Sequence, residues 1–275
     1  MNTTTQFSFI FNIFIVTASF GQNTALLGKY FHLGMTIPVV HIHDKGHSPL
    51  TYAGNGVKFQ LGFEYHRLNT VARSQFSYTY SPMRPSSKPV ARPILSNSEY
   101  NRFQLSYGYY VKWQKETPLP DINGSFAAKN WFGATLSVDF SSNDYNLPSN
   151  NLFGYYGVAA LSASGIFQQA FKKDSTKSFN YEATIPVLSY SVRPNYIGMM
   201  PLEDGTFNFK SILKQGKWST LNQLFHFYNR FELQTQNKFY IANRFKYEWE
   251  FRNNTNQEAF RSITGGFGYE TLFKR

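Results

Sequence analysis

Apolar and polar positions alternate with a period of two along most of this chain. Val57, Phe59, Leu61, Phe63 and Tyr65 alternate with Lys58, Gln60, Gly62, Glu64 and His66. Phe103, Leu105, Tyr107, Tyr109, Val111 and Trp113 alternate with Gln104, Ser106, Gly108, Tyr110 and Lys112, and Phe132, Ala134, Leu136, Val138 and Phe140 have small or polar partners. Near the end, Phe239, Ile241, Phe245, Tyr247, Trp249 and Phe251 oppose Lys238, Tyr240, Arg244, Lys246, Glu248, Glu250 and Arg252, with Asn243 as a polar residue on the apolar face. Successive side chains of a strand point to opposite faces, so each run predicts a strand with one apolar and one polar face.

A soluble sandwich also alternates. These runs, however, span about 10 to 16 residues, against about five or six for strands of soluble domains and about 9 to 11 for a tilted strand crossing a bilayer. Aromatic residues stand toward the ends of the apolar faces (Tyr65, Trp113, Tyr247, Trp249 and Phe251), the pattern of interfacial girdles on membrane barrels. The expected fold is all-β, an up-and-down antiparallel transmembrane barrel. Ten strands are expected at about 29–43, 57–68, 72–82, 99–115, 131–141, 153–171, 178–192, 217–234, 238–252 and 259–274. Twelve strands are the second reading, because Thr206 to Leu213 also alternates, and eight are the third. An even count puts both termini on one side, the periplasmic side in bacterial single-chain barrels. The outer loops are then 44–56, 83–98, 142–152, 193–216 and 253–258, and the inner turns 69–71, 116–130, 172–177 and 235–237. Pro38 and Pro186 fall inside strands and predict local bulges, since each removes a ladder donor.

The segment before the first strand has a different pattern. Phe7 to Phe20, FSFIFNIFIVTASF, is too short to cross a bilayer as a helix and has the length of a signal-peptide apolar region. Ser19 and Gly21 are small residues suited to cleavage before Gln22, although the leading MNTTTQ carries no Lys or Arg. Residues 1–21 are expected to be a signal peptide and 22–275 the barrel domain.

Composition narrows the chemistry. Phe 28 and Tyr 19 make the chain too aromatic for disorder. There is no cysteine, which removes disulfides, thiolate ligands and a lipoprotein anchor. The formal net charge of +11 suits a basic lumen or rim facing anionic lipopolysaccharide or anionic solutes. The basic residues are scattered and form no block, which argues against nucleic acid. No Gly-rich phosphate loop or other cofactor motif is present, and no cofactor is expected.

The last residues, GGFGYETLFKR, resemble the closing strand of bacterial outer-membrane β-barrels, which ends in alternating apolar residues and a terminal or near-terminal aromatic. Phe267, Tyr269, Thr271 and Phe273 supply the alternation, and Lys274 and Arg275 depart from it. The resemblance covers the mature chain and implies an outer-membrane location with lipid and lipopolysaccharide as surroundings. It matches no named family by motif. The high Phe, Tyr and Asn content and the uncharged leader resemble proteins of Bacteroidota-type outer membranes.

Candidate chemistry is sparse. HIHDKGH places His41, His43, Asp44 and His47 at the first hairpin tip, and imidazole and carboxylate can ligate zinc or copper, although the spacing fits no standard metal motif. His47 and Ser48 are adjacent, whereas outer-membrane phospholipase spaces its His and Ser two apart on one strand. Omptin proteases resemble the chain in strand count, but no Asp-x-Asp or Asp-x-His pair occurs here. Lys58, Glu64, Lys112, Arg244, Lys246, Glu248, Glu250 and Arg252 should face the lumen, because charge within hydrocarbon is costly. Ala159 to Gly165 is a run of small residues that fits either close approach by another surface or a barrel bend. The expected role is a structural or accessory component of an outer-membrane assembly, without enzymatic activity. A narrow anion-preferring pore and a lipid or lipopolysaccharide hydrolase are the alternatives.

Overall fold

The computed structural model describes residues 27–44, 51–86, 98–113, 129–146, 151–171, 177–193, 214, 216–236, 241–255 and 260–274. The expected signal peptide, the Thr206–Leu213 segment, His47 and Ser48 lie outside these residues, as does nearly all of the 116–130 turn. The strands are β1 (Gly28–Asp44), β2 (Thr51–Asn55), β3 (Val57–His66), β4 (Thr70–Pro85), β5 (Ser98–Lys112), β6 (Lys129–Asn146), β7 (Asn151–Ala170), β8 (Lys177–Val192), β9 (Lys217–Thr220), β10 (Leu224–Gln236), β11 (Ile241–Asn254) and β12 (Phe260–Lys274).

Ten wall positions close into an antiparallel barrel. β2 and β3 share one register against β1, with Val39 opposite Asn55 and Thr36 opposite Lys58, so they are two stretches of one wall strand interrupted at Gly56. β9 and β10 both lie along β8, and their registers are offset across the turn at 221–223. Closure comes from β12, which pairs with β11 along one edge and with β1 along the other. The five connections expected outside share one end, here the loop end. The start of β1 and the end of β12 lie at the opposite, terminal end.

The wall sorts side chains as a bilayer requires. Leu33, Met35, Ile37, Phe59, Leu61, Phe63, Leu105, Leu136, Val138 and Phe245 are exposed on the outer face. Lys58, Glu64, Arg244 and Glu270 are buried within. Apolar side chains outside and paired charges inside are stable only where the outer surface meets hydrocarbon. Aromatic pairs knit neighbouring strands across the outer face, including Tyr247–Phe267 at 4.8 Å and Trp113–Phe132 at 5.3 Å between ring centroids. Tyr65 and Trp113 stand at the terminal end and Trp249 and Phe251 toward the loop end. Tyr247 is a correction, because it lies partway up the wall rather than in a girdle.

Several strands run further toward the loop end than their outward apolar pattern implies. Thr51–Asn55 was expected to be loop and is strand, β4 continues to Pro85, and β6 reaches Asn146. The reason is a reversal of amphipathic phase. On β1 the outward residues Leu33, Met35, Ile37 and Val39 give way to the outward polar His41 and His43, while Val40 and Ile42 become the buried apolar positions. β1 has 17 residues, which at about 3.3 Å each and a tilt of about 40° rise about 40 Å, beyond an apolar band of about 25 Å. The extra length stands in water, and its hydrophobic face turns inward as in a soluble barrel.

The prolines behave differently from each other. At Pro186 the β7–β8 register shifts between Leu161 and Ser162, so Val187 is an extra residue in a bulge. Pro38 makes no bulge, and the register of β1 is unbroken on both sides. Its carbonyl accepts a hydrogen bond from the Gly56 amide at 2.8 Å, and only the reciprocal bond is lost. Across from it, a Cβ on Gly266 would lie 2.4 Å from the Ile37 carbonyl oxygen, so glycine is needed for the close approach there.

Candidate functional site

Among the described residues many functional groups converge in the interior, and β11 builds its spine. Arg244, Lys246, Glu248, Glu250 and Arg252 project inward at every second position. Toward the terminal end, Arg244 grips Glu64 through both terminal nitrogens at 2.6 and 2.7 Å and reaches Glu270 at 3.3 Å. Glu64 also lies 2.7 Å from the Arg73 Nε, and Arg73 bonds Glu182 at 2.6 Å. The Tyr110 hydroxyl donates to Glu182 at 2.7 Å. Higher up, Lys58 donates to Glu248 at 2.6 Å, and Lys246 bonds Gln60. Nearer the loop end, Arg102 and Arg252 share Asp139 and Glu250, with Arg102 binding Glu250 at 2.6 and 2.9 Å.

Among the described residues the buried charges balance. Eight cations (Lys58, Arg73, Arg102, Arg193, Arg230, Arg244, Lys246 and Arg252) face eight carboxylates (Asp44, Glu64, Asp139, Glu182, Glu232, Glu248, Glu250 and Glu270). The basic excess of the described chain therefore lies on the rims and outer surface, which corrects the expectation of a basic lumen in favour of a basic rim. Fixed ion pairs in a low-dielectric interior hold best when hydrogen bonded on several sides, as Arg244 is by Glu64, Glu270 and Gln234.

Above the ionic layer, Val40, Ile42, Tyr52, Met83, Tyr100, Tyr156, Val158, Ala160, Leu224 and Phe260 form an apolar cap within the barrel. Tyr156 and Phe260 stack at 4.7 Å between centroids, and Arg252 lies 5.7 Å from the Tyr156 ring, joining cap to ionic layer. Below the cap, a cavity of about 60 Å³ lies between ionic side chains and the small polar residues Ser106, Thr135, Ser137 and Ser162, and another of about 30 Å³ lies between Arg73, Glu182, Glu232 and Arg244 and the apolar Val71, Trp131 and Ile166. Spaces of that size hold a few waters.

Seven of the charges expected to face the lumen do so. Lys112 is half-buried at the terminal rim. Sequence reasoning missed Arg73, Arg102, Asp139, Glu182, Arg230, Glu232 and Glu270, although each continues the polar phase of an alternating strand. His32, also missed, is fully buried and bonds Glu270 at 2.7 Å. Its ring lies over Gly62, where a Cβ would come within 2.4 Å of Nε2. His66 pairs with Glu64 at 2.8 Å and His226 with Glu250 at 2.7 Å. Among the described residues no imidazole bridges a carboxylate and a serine hydroxyl.

The described first-hairpin candidates, His41, His43 and Asp44, are not brought together. His41 and His43 face outward, with His43 Nδ1 3.0 Å from the Thr51 hydroxyl, whereas Asp44 turns inward to Arg193. Strand alternation itself separates Asp44 from the histidines. No group of three potential metal-ligating His, Asp or Glu side chains occurs among the described residues. In the small-residue run, Leu161 and Ala163 point outward and Ala160, Ser162 and Ser164 inward, and the β8 bulge at Val187 lies opposite it.

This arrangement is that of an outer-membrane-type β-barrel. No protein-family model matches the chain, and no curated protein matches it. Among solved structures, the outer membrane protease OmpT from Escherichia coli is similar with a TM-score of 0.51 at 6% identity, over 94% of this chain and 99% of that one. The transport unit of the autotransporter AIDA-I from Escherichia coli gives 0.39 at 8% identity, over 95% and 96%. Neisserial surface protein A gives 0.35 at 8% identity, over 89% and 97%. The first likeness supports the fold, and at such identity the fold alone.

Proposed function

We propose that the chain is a closed outer-membrane barrel that acts as a structural or accessory component of an outer-membrane assembly, through its surface rather than its bore. The observation that carries this reading is the filled interior, a charge-balanced ionic layer under an apolar cap. Ten strands leave little bore once side chains fill it, and the groups inside bond to one another. The test is purification of the tagged full-length protein from its native outer membrane in mild detergent. A stoichiometric co-purifying protein supports the accessory role, and a lone barrel contradicts it.

A narrow pore is the second reading, favoured by the two small cavities inside the wall. The balanced interior speaks against anion preference in it. A hydrolytic role would rest on His47, Ser48 or Asp44. Asp44 is paired with Arg193, which leaves that reading the weakest, and an unchanged lipid profile in a strain lacking the protein would count against it.

A further inference from the structure

We infer that the terminal end of the barrel carries a binding site for one anionic glycerophospholipid, with an acyl chain in an outer groove and the phosphate held by Lys29 and Arg67. The groove is a membrane-facing recess of about 260 Å³. Its walls are Phe31, Phe63, Tyr65 and Tyr107, and its floor is Ala72 and Ser74, two small side chains between bulky neighbours. On the neighbouring part of the belt large residues stand side by side instead, such as Leu105 beside Val138 and Phe76. The recess follows from the sequence, because Ala72 and Ser74 hold outward positions that the alternation would otherwise give to large apolar residues.

Charge at the end of the groove names the ligand. Lys29 Nζ lies 5.8 Å and Arg67 Cζ 4.7 Å from the Tyr65 ring centroid, so two cations converge on one aromatic wall. Both are exposed, and neither has a carboxylate partner among the described residues. Lys112, Lys129, Lys177 and Lys274 continue a basic rim around this end. Glu64 borders the recess, but its side chain is fully buried on the bore side and held by Arg244, and the other described carboxylates nearby, Glu232 and Glu270, are likewise buried and engaged by arginines. A basic rim bordered by aromatic rings matches a phosphate layer, and long cationic side chains reach that layer from a membrane-facing wall. An apolar slot ending in two cations fits an acyl chain joined to a phosphate and leaves neutral lipid without a partner for the charges. The inference does not depend on whether the bore conducts.

The test uses the purified full-length barrel in detergent micelles with a trace of phosphatidylglycerol carrying a diazirine in one acyl chain. Adducts are mapped by peptide mass spectrometry. The expected result is labelling concentrated around Phe63–Tyr65 and Ala72–Ser74 relative to Leu136. Ala72→Trp, which fills the floor, and the pair Lys29→Ala with Arg67→Ala should each lower it about fivefold or more. The rim pair leaves β4 untouched and serves if Ala72→Trp fails to fold. A phosphate-free diacylglycerol probe should label wild type no better than phosphatidylglycerol labels the rim pair. Even labelling around the whole belt would overturn the site, leaving only a lipid coat. Equal labelling by diacylglycerol would overturn the phosphate contact, and stronger labelling by a lipid A probe would overturn the choice of lipid.

Discussion

At mid-height the barrel is inverted relative to a soluble protein, with Leu136 and Phe245 outside and Arg244, Glu64 and Glu270 inside. At the loop end the same strands are the right way round, with His41, His43 and Glu99 outside and Ile42, Tyr52, Tyr100 and Phe260 inside. One backbone architecture serves both regions. The solvent around the wall decides which face must be apolar, so the height at which the phase reverses marks where the wall leaves the membrane. The two regions also block the bore by different physics, one by directional ion pairs and one by packing.

The largest expected effect comes from the ionic layer. Arg244→Ala takes the two-nitrogen partner from Glu64, leaving it to Arg73 and His66, and one partner from Glu270, and should cost about 3 to 5 kcal/mol, read by urea unfolding of the barrel in vesicles followed by tryptophan fluorescence. Arg244→Lys should recover only part of that, because a lysine cannot reproduce the two-nitrogen grip on Glu64. Phe260→Ala in the cap should cost about 3 to 4 kcal/mol in the same titration, as the loss of a buried ring stacked on Tyr156. Leu136→Arg, midway along the apolar run of β6, should cost about 2 to 3 kcal/mol by placing a charge in hydrocarbon. His41→Arg, outward on β1 but above the reversal, should change stability by no more than about 0.5 kcal/mol. A penalty at His41 as large as that at Leu136 would place both in the membrane and remove the distinction between the two regions.

The mid-height architecture was legible because strand geometry ties side chains to faces at fixed spacing. The comb from Arg244 to Arg252 needs only a period of two and the cost of charge in lipid. The reversal was harder to read. Val39–Val40 and His41–Ile42 look like a pattern ending when one phase is assumed, so Thr51–Asn55 looked like loop although it pairs with Val39–His43. Arg102 sits just outside the clean run that begins at Phe103, and of its partners Asp139 comes from the adjacent β6, whereas Glu250 comes from β11, a distant wall strand that local sequence cannot place beside it. The charge balance was likewise hidden, since a net charge does not say which residues share the interior. Pro186 and Pro38 show the same limit, because the bulge at one and the plain register at the other depend on the facing strand.

Planar-bilayer recording on the purified full-length barrel tests the closed interior most directly. The account predicts no discrete conductance from the wild-type protein, and none from Phe260→Ala, because the ionic layer remains below the opened cap. Reproducible single-channel steps from the wild type, selective for anions, would contradict it and make the barrel a pore.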